Sequence, residues 1–150
     1  MSGNIIKKEE LMVGDWVLVD DIHALEIGAM MPARVKQLYE CGIIIDCGEG
    51  DEECEIFKPV HLTAGILEKN GFHPLYDDKS AYKLFWSDEK EEIYWSITID
   101  LTHPIASRIE NHIMRTGKKS ESWEMKGCVY FVHELQHLMR QFRIDKEIEL

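Results

Sequence analysis

The sequence predicts an α+β fold, and three stretches of the chain carry that prediction. Residues 1–60 alternate short β-rich runs with turn residues, residues 81–100 hold two more β-rich runs, and residues 129–142 form a helical pattern without Gly or Pro. At 150 residues, 45% of them hydrophobic, the chain can bury one core. We therefore expect a single domain over residues 1–150, β-rich to residue 60 and α+β from residue 61.

The β-rich part opens with residues 11–19, a run that contains Trp16 and is kinked at Gly14. Residues 33–38 and 42–46 predict two strands joined as a hairpin. Residues 47–55 are rich in Gly and acidic residues and are expected to form a loop. Residues 55–60 supply a fourth strand, which Pro59 confines to an edge or an end of a sheet. These short strands predict a small β-barrel-like or bent antiparallel sheet.

A short helix over residues 63–69 has both of its ends marked in the sequence. Thr63 is a favourable N-cap, and Gly71 suits the left-handed residue that follows a helix. Residues 81–86 and 92–100 predict an antiparallel β-hairpin, because the second run alternates apolar and polar side chains. Residues 105–113 are compatible with a helix, and residues 108–113 equally with a strand. Residues 116–122 are expected to form a flexible loop, and residues 145–150 a charged tail.

The C-terminal helix predicted over residues 129–142 is amphipathic. An apolar stripe that includes Leu135 and Leu138 runs along one side. At about 100° per residue, four polar residues project to the opposite side, namely His133, Gln136, His137 and Arg140. We expect this polar side to face solvent, where it is a candidate contact surface for a partner.

Residues 133–137 spell His-Glu-Leu-Gln-His and match the H-E-x-x-H signature of zinc metallopeptidases. In that chemistry His133 and His137 hold zinc and Glu134 is the general base. A metzincin-type continuation requires Gly at position 140 and His at position 143, but the chain has Arg140 and Arg143. Without a third ligand at a recognisable spacing, the motif indicates a chance match. We therefore expect no catalytic residue, no metal site and no cofactor, with zinc as the alternative.

The net charge and the length of the apolar runs limit the classes of partner that we expect. The chain has 17 Lys and Arg residues and 28 Asp and Glu residues. The resulting net charge of −11 argues against direct nucleic-acid binding. No apolar run reaches the roughly 18 residues of a membrane span, and residues 1–10 lack the apolar core of a signal peptide. The four cysteines form no C-x-x-C pair and predict reduced thiols. These features predict a cytoplasmic protein whose partner is a protein.

Three segments resemble a family of small uncharacterised proteins of Bacteroides-group bacteria and their phages or prophages. They are Leu-Met-Val-Gly-Asp-Trp-Val at residues 11–17, the Val-His-Leu-Thr to Lys-Asn-Gly-Phe stretch at residues 60–72, and Phe-Val-His-Glu-Leu-Gln-His-Leu at residues 131–138. The last is similar to the family's Tyr-Val-His-Gln-Leu-Gln-Asn-Leu helix, where Glu134 corresponds to glutamine and His137 to asparagine. The resemblance implies a structural or hydrogen-bonding role for this helix and no assigned enzymatic activity.

Three functions of different classes follow from these observations. The first, which we expect, is a non-enzymatic binding or accessory protein associated with phages or mobile elements. Its contact surface would be the polar side of the C-terminal helix or the acidic segment at residues 49–55. The second is a zinc-dependent hydrolase with His133 and His137 as ligands and Glu134 as base. The third is an acidic inhibitor, a decoy for a host defence or nucleic-acid-binding enzyme, which rests on net charge alone.

Overall fold

A computed structural model describes residues 7–20, 29–46, 50–88, 93–103, 107–113, 121–126, 129–141 and 144–150. Within them the protein has two antiparallel five-stranded sheets and two α-helices, which confirms the predicted α+β class. The chain divides into two compact units, Met1–His61 with Phe131–Leu138, and Leu62–Tyr130 with Met139–Leu150.

The sheet of the first unit follows a 3-10 turn at Lys8–Glu10. Its strands are β1 (Trp16–Asp20), β2 (Met30–Tyr39), β3 (Gly42–Asp46), β4 (Asp51–Cys54) and β5 (Lys58–Pro59). The strand order is β4-β3-β2-β1-β5. Strand β2 pairs with β1 through its first half and with β3 through its second, and a bulge between Val35 and Gln37 separates the halves. Because a bulge increases local bending and twist, the result is the bent antiparallel sheet that was predicted.

The core of the first unit comes from one face of this sheet. Alternate residues of the strands are buried, as the period of two requires. These buried residues are Val17, Val19, Ala33, Val35, Ile43 and Ile45, with Leu11 and Phe57 beside them. Ile44 and Trp16 are only partly buried, because each lies on the other face of the sheet. The guanidinium of Arg34 sits over the Trp16 ring, 4.8 Å from its centroid.

Two local predictions for the first unit are wrong. Residues 11–15 form a turn before β1 rather than the start of a strand, and residues 51–54 form strand β4 rather than a loop. Pairing with β3 explains β4, since residues 43–46 lie opposite residues 51–54 in register. A Cβ at Gly42 would come within 2.3 Å of the Cys54 carbonyl oxygen, so the close approach of these segments requires glycine.

The second unit holds the other sheet and the first α-helix. Its elements are α1 (Ala64–Lys69), β6 (His73–Pro74), β7 (Ala81–Asp88), β8 (Ile93–Asp100), β9 (Arg108–Ile113) and β10 (Glu121–Lys126). The order is β10-β9-β8-β7-β6, so every neighbour along the chain is also a neighbour in the sheet. The predicted hairpin is confirmed by the β7–β8 pairing, and residues 108–113 take the strand alternative. Tyr82, Ile97 and Ile99 are fully buried here.

Helix α1 begins and ends as its sequence predicts. The side chain of Thr63 accepts a hydrogen bond from Ile66 N–H at 3.3 Å. Gly71 takes the left-handed conformation with φ 86°, and Phe72 N–H donates back to the Leu67 carbonyl at 3.0 Å. This returning bond is the Schellman arrangement that satisfies the last carbonyls of a helix.

The C-terminal helix is α2 (Val132–Gln141), and its presence confirms that prediction. The charged tail after it also contains buried apolar residues. Ile144 and Ile148 are 3% and 1% exposed. The side-chain amide of Asn70 donates to the Glu149 carbonyl at 2.6 Å and accepts from Glu149 N–H at 2.8 Å. The tail is therefore held in the second unit by buried apolar side chains and by two hydrogen bonds to Asn70.

Several sequence predictions fall on positions that the structure does not describe. They concern residue 49 of the acidic segment, residues 116–120 of the expected loop, Arg143, and the thiols of Cys47 and Cys128. The last two residues of the expected loop, 121 and 122, are described and begin strand β10, so the loop prediction is wrong there. The other two cysteines, Cys41 and Cys54, are free thiols. Across the described residues, no helix has the length and apolar character needed to cross a membrane.

Candidate functional site

The H-E-x-x-H residues lie in the first half of α2, and Glu134 is bound to the start of that helix. Phe131 immediately precedes the first helical residue, and its N–H donates to Oε1 of Glu134 at 3.0 Å. This is the acidic half of a capping box, in which a side chain three residues into the helix satisfies an N-terminal N–H. A carboxylate at this position also interacts favourably with the helix dipole. Glu134 therefore stabilises the beginning of its own helix.

Gln136 joins α2 to the turn before β1. Its Oε1 accepts from Trp16 N–H and its Nε2 donates to the Gly14 carbonyl, both at 3.0 Å. Gly14 has φ 92°, a left-handed conformation that favours glycine, and its N–H donates to the Val35 carbonyl at 2.7 Å. One amide side chain thus satisfies a backbone donor and a backbone acceptor of the same turn, much as a neighbouring strand would.

His137 contacts Asp15, which lies between Gly14 and Trp16 in the turn. Its Nε2 lies 2.5 Å from Oδ2 of Asp15, and Asp15 is 0% exposed. The same carboxylate oxygen accepts from Met12 N–H at 2.8 Å, which closes the turn. Asp15 was not identified from the sequence as a site residue. The turn before β1 and the first half of α2 therefore contact each other through Gln136 and His137.

His133 is enclosed by aromatic rings. It stacks on Phe131 with ring centroids 5.7 Å apart and meets His137 edge-on at 5.6 Å. Its Nδ1 is buried and has no hydrogen-bond partner within the described part of the chain. Burial lowers the pKa of His133, while the nearby Glu134 and Asp15 carboxylates act weakly in the opposite direction. The ring is therefore a neutral, packed imidazole at neutral pH.

The prediction that this side of the helix faces solvent is wrong for His133 and Gln136. Each is 5% exposed, and the His137 side chain is 29% exposed. The turn before β1 lies over the side opposite Leu135, so the first half of α2 is covered on both sides. Arg140 is exposed, as predicted. The buried members of the set cannot form a contact surface for a partner.

These contacts do not fit a catalytic zinc site. Such a site needs three protein ligands and a general base that faces the metal-bound water. The Glu134 carboxylate is bonded to the start of its helix, and Nε2 of His137 is bonded to Asp15. In the parts of the chain that the structure describes, no group of three or more His, Cys, Asp or Glu side chains is placed to hold a metal ion.

An acidic cleft lies at the β4 edge of the same unit. It encloses about 370 Å³ and is lined by Asp20, Glu52, Glu53, Cys54, Glu55 and Ile56. Asp20 ends β1, and the other residues come from β4 and the segment that follows it. Ile56 is 71% exposed, so the acidic cleft carries one large apolar side chain at its rim. The predicted acidic contact segment at residues 49–55 contributes most of this lining.

The charges around the acidic cleft are unbalanced. Asp51 is paired with Lys36 through bonds of 2.8 and 2.9 Å. Among the residues described, none of the four lining carboxylates is in an ion pair. Burial, then the Glu52 and Asp20 charges, raise the pKa of the Cys54 thiol, so the thiol stays protonated and weakly nucleophilic.

No family model, curated protein or solved structure matches this chain.

The geometry therefore offers two different kinds of polar cluster. The cluster on α2 is internally satisfied, apart from Nδ1 of His133, and holds a helix against a turn. The acidic cleft is open, carries concentrated negative charge and has an apolar rim. Asp20 joins the acidic segment only through the bending of the sheet, and no local signal in the sequence points to it. Of the two, only the acidic cleft has the accessibility that binding a partner requires.

Proposed function

We propose that this protein is a non-enzymatic binding protein whose partner is a protein with a cationic segment. The acidic cleft is the observation that carries the proposal. Its four lining carboxylates, Asp20, Glu52, Glu53 and Glu55, have no compensating cation in the described residues. A partner that supplies Lys or Arg side chains would provide the missing charge and would be attracted over a distance of about 10 Å at 0.1 M salt.

The state of the H-E-x-x-H residues supports the non-enzymatic class. Glu134, Gln136 and His137 use their polar atoms in contacts that hold α2. No observation on these residues favours the hydrolase alternative, because the group that would act as base is tied to the helix start. The structural role that the resemblance implied for this helix agrees with these contacts.

The acidic cleft also fits the acidic-inhibitor function, because the partner of such an inhibitor would again be cationic. A decoy for a nucleic-acid-binding enzyme would meet a surface built to hold phosphates, and such surfaces are rich in Lys and Arg. If this protein and nucleic acid competed for the same partner, that result would favour the acidic-inhibitor function. The phage or mobile-element setting, which rests on the resemblance, and the cytoplasmic location are part of this proposal.

Peptide binding tests the proposal. The probe is a labelled ten-residue peptide that alternates Lys and Thr, with a Glu-Thr peptide of the same length as its counterpart. We expect the Lys peptide to bind, to weaken steeply between 0.05 and 1 M salt, and the Glu peptide not to bind. Fluorescence anisotropy measures both affinities.

A matched pair of variants distinguishes the effect of the cleft carboxylates on peptide affinity from the effect of net charge. The double variant Glu53→Gln, Glu55→Gln removes two cleft carboxylates, and Glu9→Gln, Asp77→Asn removes two exposed carboxylates elsewhere. Exposed ion pairs contribute about 0.2–1 kcal/mol each, so loss of two should weaken binding of the Lys peptide to the cleft variant roughly twofold to thirtyfold relative to wild type. The proposal is wrong if the two variants lose affinity equally.

A further inference from the structure

A row of four aromatic rings in the first unit ends at a buried carboxylate. His61 meets Phe131 edge-on with ring centroids 5.1 Å apart, and Phe131 stacks on His133 at 5.7 Å. His133 meets His137 edge-on at 5.6 Å, and the His137 ring reaches the fully buried Asp15. Three of the four rings are imidazoles, the side chains whose charge changes between about pH 5 and 8. The row therefore links the first half of α2 to the turn before β1 through groups that titrate.

His133 is the ring of this row that its surroundings keep neutral. The residue is 5% exposed, and its buried Nδ1 has no hydrogen-bond partner in the described part of the chain. An imidazolium donates from both ring nitrogens, so a proton on His133 would place an unpaired charged donor in the interior. The contact with His137 would also bring two positive rings together when both are protonated. The packed position thus accommodates only the neutral ring.

The charged groups around His133 do not compensate for its burial. Glu134 on α2, Asp15 in the turn before β1 and Glu10 in the 3-10 turn favour the positive ring. His137 opposes it. Burial is the largest effect and lowers the pKa of His133. The Asp15 and Glu134 carboxylates already accept hydrogen bonds from backbone N–H groups, so the closed structure offers a proton on this ring little stabilisation.

The contact between α2 and the turn can open without breaking the sheet. Gln136 bonds to Trp16 N–H and to the Gly14 carbonyl, and these bonds are separate from the strand pairings. The start of α2 is held independently, since Val132 N–H donates to the Val60 carbonyl at 2.9 Å. Opening of the contact would admit water to the buried imidazole, which could then take up a proton as it does in an unfolded chain.

We infer that the contact between α2 and the turn before β1 is a pH-dependent switch, closed while His133 is neutral and opened when His133 takes up a proton. In the open state this imidazole has its ordinary pKa of 6.5, whereas burial lowers the pKa in the closed state. The closed state is therefore fully favoured above pH 6.5 and is lost as the pH falls toward the lowered value. The switch does not involve the acidic cleft, so it goes beyond the proposed function and is independent of it.

Amide hydrogen exchange measured by NMR tests the switch on protein dialysed against a chelator. Rates are expressed relative to those of an unstructured chain, which removes the direct effect of pH on exchange. Because opening takes up one proton, the Trp16 amide should lose protection about fivefold to tenfold between about pH 7.5 and 5.5. The amides of β3 should stay equally protected, since the sheet does not open. Equal losses at Trp16 and in β3 would indicate acid unfolding of the whole unit and would overturn the switch.

His133→Phe distinguishes this imidazole from the other titrating groups. Phenylalanine keeps a ring beside Phe131 and takes up no proton, so Trp16 protection should no longer depend on pH. His73→Phe removes an exposed imidazole on β6 and should behave like wild type. A His133→Phe variant whose Trp16 protection still falls with pH would overturn the role of His133. If His133→Phe does not fold, wild type alone decides, because constant Trp16 protection over this pH range refutes the switch.

Discussion

Replacement of Gln136 by alanine distinguishes a helix docked on the turn before β1 from a helix with a solvated polar side. The Gln136 side chain is 5% exposed and makes two hydrogen bonds of 3.0 Å, with Trp16 N–H and the Gly14 carbonyl. Gln136→Ala leaves one backbone donor and one backbone acceptor unpaired, at a cost of about 1–3 kcal/mol each when they are buried. Gly14 and Trp16 are half-buried, so water recovers part of this loss. We expect the free energy of unfolding to fall by about 2–4 kcal/mol.

Urea unfolding followed by tryptophan fluorescence measures this change, and Gln141→Ala is the matched control. Gln141 is exposed on the same helix, and its substitution should change the free energy of unfolding by no more than about 0.5 kcal/mol. In a thermal scan, each kcal/mol should lower the Tm by roughly 2–4 °C for a chain of this size. A Gln136→Ala variant as stable as Gln141→Ala would refute the docking role.

Three further predictions concern the pH dependence of stability, the start of α2 and the C-terminal tail. Burial lowers the pKa of His133 below its ordinary value of 6.5, so the unfolded chain takes up a proton on this imidazole more readily than the folded chain. The free energy of unfolding should therefore be at its full value above pH 6.5 and should fall below it. Urea midpoints of His133→Asn should depend less on pH than those of wild type. Glu134→Gln keeps an acceptor for Phe131 N–H and should cost no more than about 0.5 kcal/mol, whereas Glu134→Ala should cost about 1 kcal/mol in the same assay. Asn70→Ala removes both bonds to Glu149 and should cost about 2–3 kcal/mol by thermal unfolding, and an unchanged Tm would contradict a fastened tail.

Features set by neighbouring residues were predictable from the sequence. The start of α1 at Thr63 and its end at Gly71 follow from side-chain capping and from the left-handed conformation that glycine allows. The β7–β8 hairpin follows from the alternation of apolar and polar side chains along the second strand and from the short polar connection before it. In each case the signal and the structure lie within a few residues of each other.

Features set by distant contacts were not predictable. Helical periodicity shows which residues share a side of α2, but it does not show what covers that side. The turn that bonds to Gln136 and His137 lies about 120 residues earlier in the chain. Strand β4 was missed for a similar reason, because its acidic residues have low β propensity and pairing with β3 overrides that preference.

The candidate binding site was only partly predictable. Residues 49–55 were identified as an acidic contact segment from composition, and the acidic cleft includes Glu52, Glu53 and Glu55. Asp20 and Ile56 were not identified, since their positions depend on the bend of the sheet and on the path of the chain after β4. A net charge of −11 does not show where on the surface the carboxylates are concentrated, and only the fold brings Asp20 together with Glu52, Glu53 and Glu55.

The zinc content of the purified protein tests most directly whether the H-E-x-x-H helix is structural rather than catalytic. Imidazoles at positions i and i+4 of a helix bind stray Zn²⁺ or Ni²⁺ weakly, so the protein is first dialysed against a mild chelator. Elemental analysis should then find far less than one zinc per chain in wild type, and the same in His137→Asn. One tightly held zinc per wild-type chain, lost in His137→Asn, would contradict the structural role of the helix and favour the hydrolase.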